Sequence, residues 1–353
     1  MTYKAVEIIT SQALKSEQDN KETINRILAG VSVNTDIEPL KNKLLYDCDV
    51  TINFHPDRLS NNGKLIIENL LIDGEYHNKW IQQIIDLQHE NGSWGCFHTL
   101  SQPTKAQPMT TEKALRRLRI LGLTKRDEPI ARAITYMEQN LIQPFPTVFH
   151  EKKHDSKTYG DLMLATWIRL FDSENEAALV IAKKWANIIN SAFQNGVYSN
   201  ESYVSAYEAE FIKLNPKAGC LADFVVFYQL ALLPGLLEPK VENAMLDYVL
   251  SHSRGIVYIY NSPVNVLPEM FVSKKANWYL SAIELLAAYG SAPQKLGFVA
   301  KWLLDNNDTD GMWDMGATVK DGIHFPLSES WRKPEDRKRD CTVRIKKLIE
   351  RLA

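Results

Sequence analysis

From residue 78 onward, apolar positions recur at helical spacing, and strand-like alternation is nearly absent. Amphipathic helices are predicted near 78–89, 128–140, 176–194, 239–251 and 294–305, each with one polar face suited to an outer layer. Between them fall helices near 110–121, 158–171, 218–232, 273–289 and 335–351. Three of these carry runs that are apolar on most sides, at 165–171, 221–233 and 279–289. A helix apolar all round must be covered on all sides. Alternation of half-exposed and covered helices therefore implies two concentric layers, an all-α fold of the α/α toroid kind over residues 78–353. Residues 1–77 read as a small helical lead-in, with a short strand at 50–54.

The pattern is punctuated by a repeat. Residues 80–97 and 302–316 each open on a Trp-led helical run, continue into a polar stretch, and close on Gly, one residue and Trp: Gly92 to Trp94, and Gly311 to Trp313. Weaker copies end at Gly196 and Tyr198 and at Gly255 and Tyr258, and the interval after the first copy leaves room for a fifth unit near 136–149. In a closed double ring, the loops entering the inner helices gather at one end. The amino ends of those helices converge there with their partial positive charge, and a pocket is expected at that end.

The strings Gln88, Gly92, Trp94 and Asn306, Gly311, Trp313 resemble the QW repeat of triterpene cyclases and the related hairpins of protein prenyltransferase β subunits. The resemblance implies the toroid fold and an isoprenoid-type activity. The acid motif of protonation-type cyclases, the magnesium motif of ionisation-type synthases and the prenyltransferase zinc triad have no complete counterpart. Asp47 with Asp49, Asp308 with Asp310, and the Asp340–Cys341 pair come nearest. A shorter likeness covers 52–58 and 73–76, where Phe54, His55, Pro56, Asp57 and Arg58 resemble the opening of a bacterial family of unknown function.

Composition narrows the partners. Forty-one Lys and Arg against forty-three Asp and Glu leave a net charge of −2, which offers no general attraction for nucleic acid. The most apolar stretch, 224–237, is too short for the roughly 20 residues that span a bilayer. Scattered cysteines (Cys48, Cys96, Cys220, Cys341) and the absence of a secretory pattern suggest reduced thiols and a cytoplasmic location.

Candidate chemistry is sought at the loop end. Asp223 interrupts the most apolar predicted helix, where desolvation would prepare it as a general acid; the alternative is a carboxylate paired with a neighbouring Lys or Arg. His98 and Asp161 are the other catalytic candidates. His150 and His154 lie nearby, but their spacing matches no strong metal motif, and neither metal nor cofactor is expected. Trp94, Tyr159, Tyr260, Lys274, Arg332 and Arg337 are candidate substrate contacts. The aromatics could line a cavity and face a cation. The excess of basic residues over 332–351, nine against four acidic, could hold an anion.

The expected function is a cyclase-like or transferase-like protein that takes a small apolar or anionic organic ligand. Two rivals keep the fold: a carbohydrate-active enzyme built on Asp161, Asp223 and Glu269, and a toroid that only binds ligand or protein.

Overall fold

The computed structural model describes residues 78–98, 109–142, 156–211 and 223–352. The lead-in at 1–77, with its Phe54–Arg58 string, lies outside them. Among the described residues there are eleven α-helices and no strand. The helices are α1 Lys79–Ile85, α2 Thr111–Ile120, α3 Glu128–Ile142, α4 Ser156–Phe171, α5 Glu176–Ala192, α6 Asn200–Phe211, α7 Phe227–Leu232, α8 Pro239–Ser251, α9 Lys274–Leu286, α10 Ala292–Asp305 and α11 Pro334–Leu352; a 3-10 turn, Ala317–Val319, precedes the last. No helix among the described residues is long and apolar enough to cross a membrane.

Helix starts follow side-chain capping. Asn78, Thr110, Asn175 and Ser273 each accept a backbone N–H from the first turn of α1, α2, α5 and α9. Faces follow the predicted pattern. Helix α5 buries Ala178, Ala182, Trp185, Ala186 and Ile189 on one side, whereas the run Leu162 to Ile168 in α4 is buried all round. Helices α2, α4, α7 and α9 pack successively on one another, and α3 packs on α5 as α8 does on α10.

Two elements differ from the predicted pattern. The helix expected over 218–232 is described only from Phe227. Val225 and Val226 run extended instead, because the Val257 amide donates to the Val225 carbonyl at 3.1 Å and the Phe227 amide donates to the Val257 carbonyl at 3.2 Å. β-branched residues take that alternative readily. Helix α6 was not expected. It buries Tyr203 and Tyr207, and the Trp185 ring lies 6.0 Å from Tyr207 and 5.4 Å from Phe211, so an aromatic contact replaces an aliphatic stripe.

The four loop glycines share one backbone geometry. Gly92, Gly196, Gly255 and Gly311 have φ of 88°, 76°, 63° and 69°, the left-handed region that glycine enters freely. Each donates its N–H to the carbonyl three residues earlier, at His89, Phe193, His252 and Asp308. In the two strong copies the indole locks the hairpin. Trp94 Nε1 donates to Ile84 O at 2.7 Å and Trp313 Nε1 to Leu303 O at 2.6 Å, ten residues back in both. Their backbone amides donate to Thr111 and Thr342 hydroxyls at 2.9 and 3.0 Å. Removing such a buried ring costs about 3–5 kcal/mol, against about 1 for the hydrogen bond, so burial dominates.

The first unit touches the last. Asn78 Nδ2 donates to Leu327 O at 2.9 Å and Trp80 Nε1 to Ser328 O at 2.8 Å. Lys79 pairs with Glu329 at 3.1 Å, and Arg117 of α2 donates to the carbonyls of Ile323 and Pro326. Behind this seam, Arg344 of α11 grips Glu284 of α9 through two bonds of 2.6 and 2.9 Å. The pair holds the Glu284 carboxyl below its usual range despite burial.

The turns predict an asymmetric response to alanine. At Gly311 a methyl group meets open space, so Gly311→Ala costs only the left-handed backbone, about 1–2 kcal/mol. At Gly92 the methyl would collide with the Arg132 carbonyl, so Gly92→Ala costs roughly 3 kcal/mol or more. Denaturant titration of the two variants measures the difference; equal losses would show that Gly92 is not held against α3.

Candidate functional site

Three helix starts bring one polar cluster together. Thr110 caps α2 and places Glu112 in its first turn, where the side chain is 1% exposed. The segment after Trp94 is held to the same turn, since Thr111 N donates to Cys96 O and Glu112 N to Phe97 O, both at 3.0 Å. That pairing carries His98 inward, to 3% exposure. Tyr159 comes from the first turn of α4 and Tyr228 from the first turn of α7. Tyr258 follows the Gly255 turn with φ of 72°, the one non-glycine residue with positive φ among those described. Such a conformation costs about 1–2 kcal/mol and is often kept where a side chain must be aimed.

The four rings meet. His98 lies 6.1 Å from Tyr159, 6.2 Å from Tyr228 and 6.1 Å from Tyr258 between ring centroids, with Tyr228 5.8 Å from Tyr159 and 5.9 Å from Tyr258. The Tyr159 hydroxyl is 3.4 Å from His98 Nε2 and donates to the Tyr258 hydroxyl at 3.4 Å. Tyr258 is exposed, while Tyr159 and Tyr228 are buried, so these polar groups form a chain from solvent to the buried imidazole.

Beneath the rings, Glu112 Oε1 accepts from the Tyr228 hydroxyl at 2.8 Å and from Trp167 Nε1 at 3.3 Å, and it pairs with Arg116 at 3.3 Å. Burial first, and the Glu112 charge second, push the Tyr228 phenol well above its usual range. The Tyr228 phenol thus holds its proton and donates it to Glu112. The Arg116 guanidinium lies 4.8 Å from the Phe227 ring centroid, and its Nε has no hydrogen-bond partner among the described residues.

His98 and Tyr159 are thus the predicted site residues that come together. Trp94 is the hairpin lock. Asp161 pairs with Lys157 one turn earlier at 2.8 Å. Asp223 requires correction: it precedes α7 in an extended segment, caps the Val225 amide at 3.0 Å, and pairs with Arg254 and with His252 at 3.4 Å. The neighbouring-cation alternative describes it, and the expected apolar helix interior does not. Tyr260 is buried against Tyr279 at 5.4 Å. Lys274 and Arg332 are exposed at the starts of α9 and α11's lead-in.

Part of the basic stretch is answered by carboxylates. Arg337 is bound twice by Asp314 at 2.7 Å, Arg344 by Glu284, and Lys338 by Asp308 and Asp310. His150 and His154 lie outside the described residues. Among the described residues no group of His, Cys, Asp and Glu converges as a metal site. A pocket of about 400 Å³ between α5 and α6, lined by Ser191, Gln194, Glu201, Ser202, Ser205 and Ala206, touches none of the ring cluster.

Sequence reasoning missed Glu112 and Arg116. An acidic residue in a first turn normally complements the helix dipole, and only the burial of Glu112 against Tyr228, 116 residues away, reveals it. Comparison with family models, with curated proteins and with solved structures finds no match to this chain.

The cluster predicts that Tyr228→Phe, by leaving buried Glu112 short of one donor, destabilises the protein by about 1–2 kcal/mol. Tyr258→Phe, at an exposed position, changes stability by less than about 0.5 kcal/mol. Urea midpoints check both; equal effects would mean that Glu112 does not depend on the Tyr228 hydroxyl.

Proposed function

We propose that the helical units form an α/α toroid that takes an apolar organic ligand of the isoprenoid kind at its loop end, where His98, Tyr159 and Tyr258 exchange protons with it. Three features support the toroid: alternating apolar and amphipathic helices, the same glycine turn in four units, and the hydrogen bonds between the first unit and the last. The observation that carries the functional reading is the meeting of four rings above buried Glu112.

Aromatic faces attract a cation electrostatically, by about 2 kcal/mol when desolvated. A carboxylate beneath the rings adds to that field, although Arg116 offsets part of it. A positive charge that develops on a bound hydrocarbon is stabilised in such a setting. The chain from Tyr258 through Tyr159 to His98 supplies a route for the proton that such chemistry gains or loses. A carbohydrate mechanism is less well served, because Asp161 and Asp223 are both committed to cations.

The experiment is equilibrium binding and product analysis with farnesyl and geranylgeranyl diphosphate, with oligosaccharides in parallel. The wild-type protein is expected to bind and convert a prenyl substrate. His98→Gln is expected to keep binding and lose turnover roughly 100-fold or more. Prenyl binding without conversion would leave a binding toroid; no prenyl binding, or preference for oligosaccharides, would overturn the reading.

A further inference from the structure

A second constellation lies away from the ring cluster and shares no residue with it. In the loop before α11, Asp321 Oδ1 accepts the backbone N–H groups of Ile323, His324 and Phe325 at 2.9, 2.8 and 3.2 Å, which fixes the carboxylate. Its other oxygen, Oδ2, lies 2.8 Å from His324 Nδ1 and accepts from Asn277 Nδ2 at 3.0 Å. On the far side of the imidazole, His324 Nε2 is 3.2 Å from the Ser281 hydroxyl, in the middle of α9. The Asp321 carboxylate at 2.8 Å from Nδ1 outweighs the Glu284 carboxylate at 4.0 Å from Nε2 and keeps the proton on Nδ1, so Nε2 presents its lone pair to Ser281. Burial, reinforced by the Arg344 charge, lowers the imidazole below its ordinary range and favours this neutral form.

Two further features belong to a reacting site. Arg344 Nη2 donates to Ser281 Oγ at 3.1 Å, and Glu284 holds that guanidinium in place, so a cationic donor stands beside the nucleophile, next to where the carbonyl oxygen of a bound ester would take up charge. Trp278 sits one turn before Ser281 on the same face of α9 and is 52% exposed, an apolar surface next to the hydroxyl. At rest the Ser281 hydroxyl donates to the Asn277 carbonyl at 3.0 Å, so its one proton turns to His324 Nε2 for attack.

We propose that Asp321, His324 and Ser281 form a hydrolytic triad that cleaves carboxylic esters of apolar acids, with the acyl chain on Trp278. Ser281 Oγ bonds to the ester carbonyl carbon while its proton passes to His324 Nε2, and the carbonyl electron pair moves onto oxygen, facing Arg344. Collapse reforms the carbonyl and breaks the bond to the alkoxy group, which takes the proton from Nε2 and leaves as the alcohol. Water then adds to the acyl-serine and gives a proton to Nε2; the bond between the acyl carbon and Ser281 Oγ breaks as Nε2 passes that proton to Oγ, and the carboxylic acid departs. Geometry and roles define such a triad, on whatever fold it occurs.

The test treats the full chain with an alkyl fluorophosphonate, maps the adduct by peptide mass spectrometry, and measures hydrolysis of p-nitrophenyl butyrate and hexanoate. The adduct is expected on Ser281 and absent from Ser281→Ala. Asp321→Asn retains an oxygen for the three loop amides, and is expected to lower kcat roughly 100-fold or more with KM little changed. Labelling that misses Ser281 in the wild type, labelling that persists in a folded Ser281→Ala, or a kcat unchanged in Asp321→Asn would each overturn the proposal. The wild-type and Asp321→Asn results decide the matter even if Ser281→Ala does not fold.

Discussion

The hairpin lock is the constraint on which the rest of the described structure depends. A left-handed glycine reverses the chain, and a tryptophan two residues later returns its indole N–H to the carbonyl ten residues behind it. Trp94 and Trp313 make the same bond, and Thr111 and Thr342 receive the same backbone amide, so the two hairpins are closed alike. In these two units the lock holds the hairpin against the helix that follows, α2 or α11. The starts of α2, α4 and α7 then bring their first turns together, and the ring cluster is a consequence of that placement.

Two carboxylates of the interior networks sit in different situations. Glu112 accepts from a phenol, an indole and a guanidinium and keeps Tyr228 as a donor. Glu284 is held by Arg344, whose charge also acts on His324. Breaking a buried pair by removing one partner is costly, about 3–5 kcal/mol, even where the intact pair adds little net stability. Both networks therefore hold side-chain geometry tightly whatever their contribution to folding, and defined geometry is what an acid–base site needs.

Much of the helical framework was legible because its signals are local. The glycines fall where φ must be positive, and the predicted helices near 128–140, 176–194 and 239–251 match α3, α5 and α8 within a turn. What escaped depends on distant partners. An apolar run such as Phe224 to Phe227 reads alike as helix or extended chain until Val257 supplies backbone bonds, so Asp223 was expected inside a helix that begins later. Helix α6 escaped because its burial rests on tyrosines. His98 and Tyr159 were legible as loop-end residues, whereas Glu112 looked like an ordinary first-turn acid. The His324 and Ser281 pairing joins positions 43 residues apart, with no local pattern to announce it.

The contact between the first and last units bears most directly on the proposed ring. Lys79 and Glu329 are 3.1 Å apart, both exposed, and 250 residues apart in sequence. Zero-length carbodiimide crosslinking of the native protein, followed by peptide mass spectrometry, tests that contact, with Lys157 and Asp161 at 2.8 Å as the local control. A Lys79–Glu329 crosslink is expected alongside the control. Recovery of the control crosslink alone would contradict a closed arrangement of the helical units.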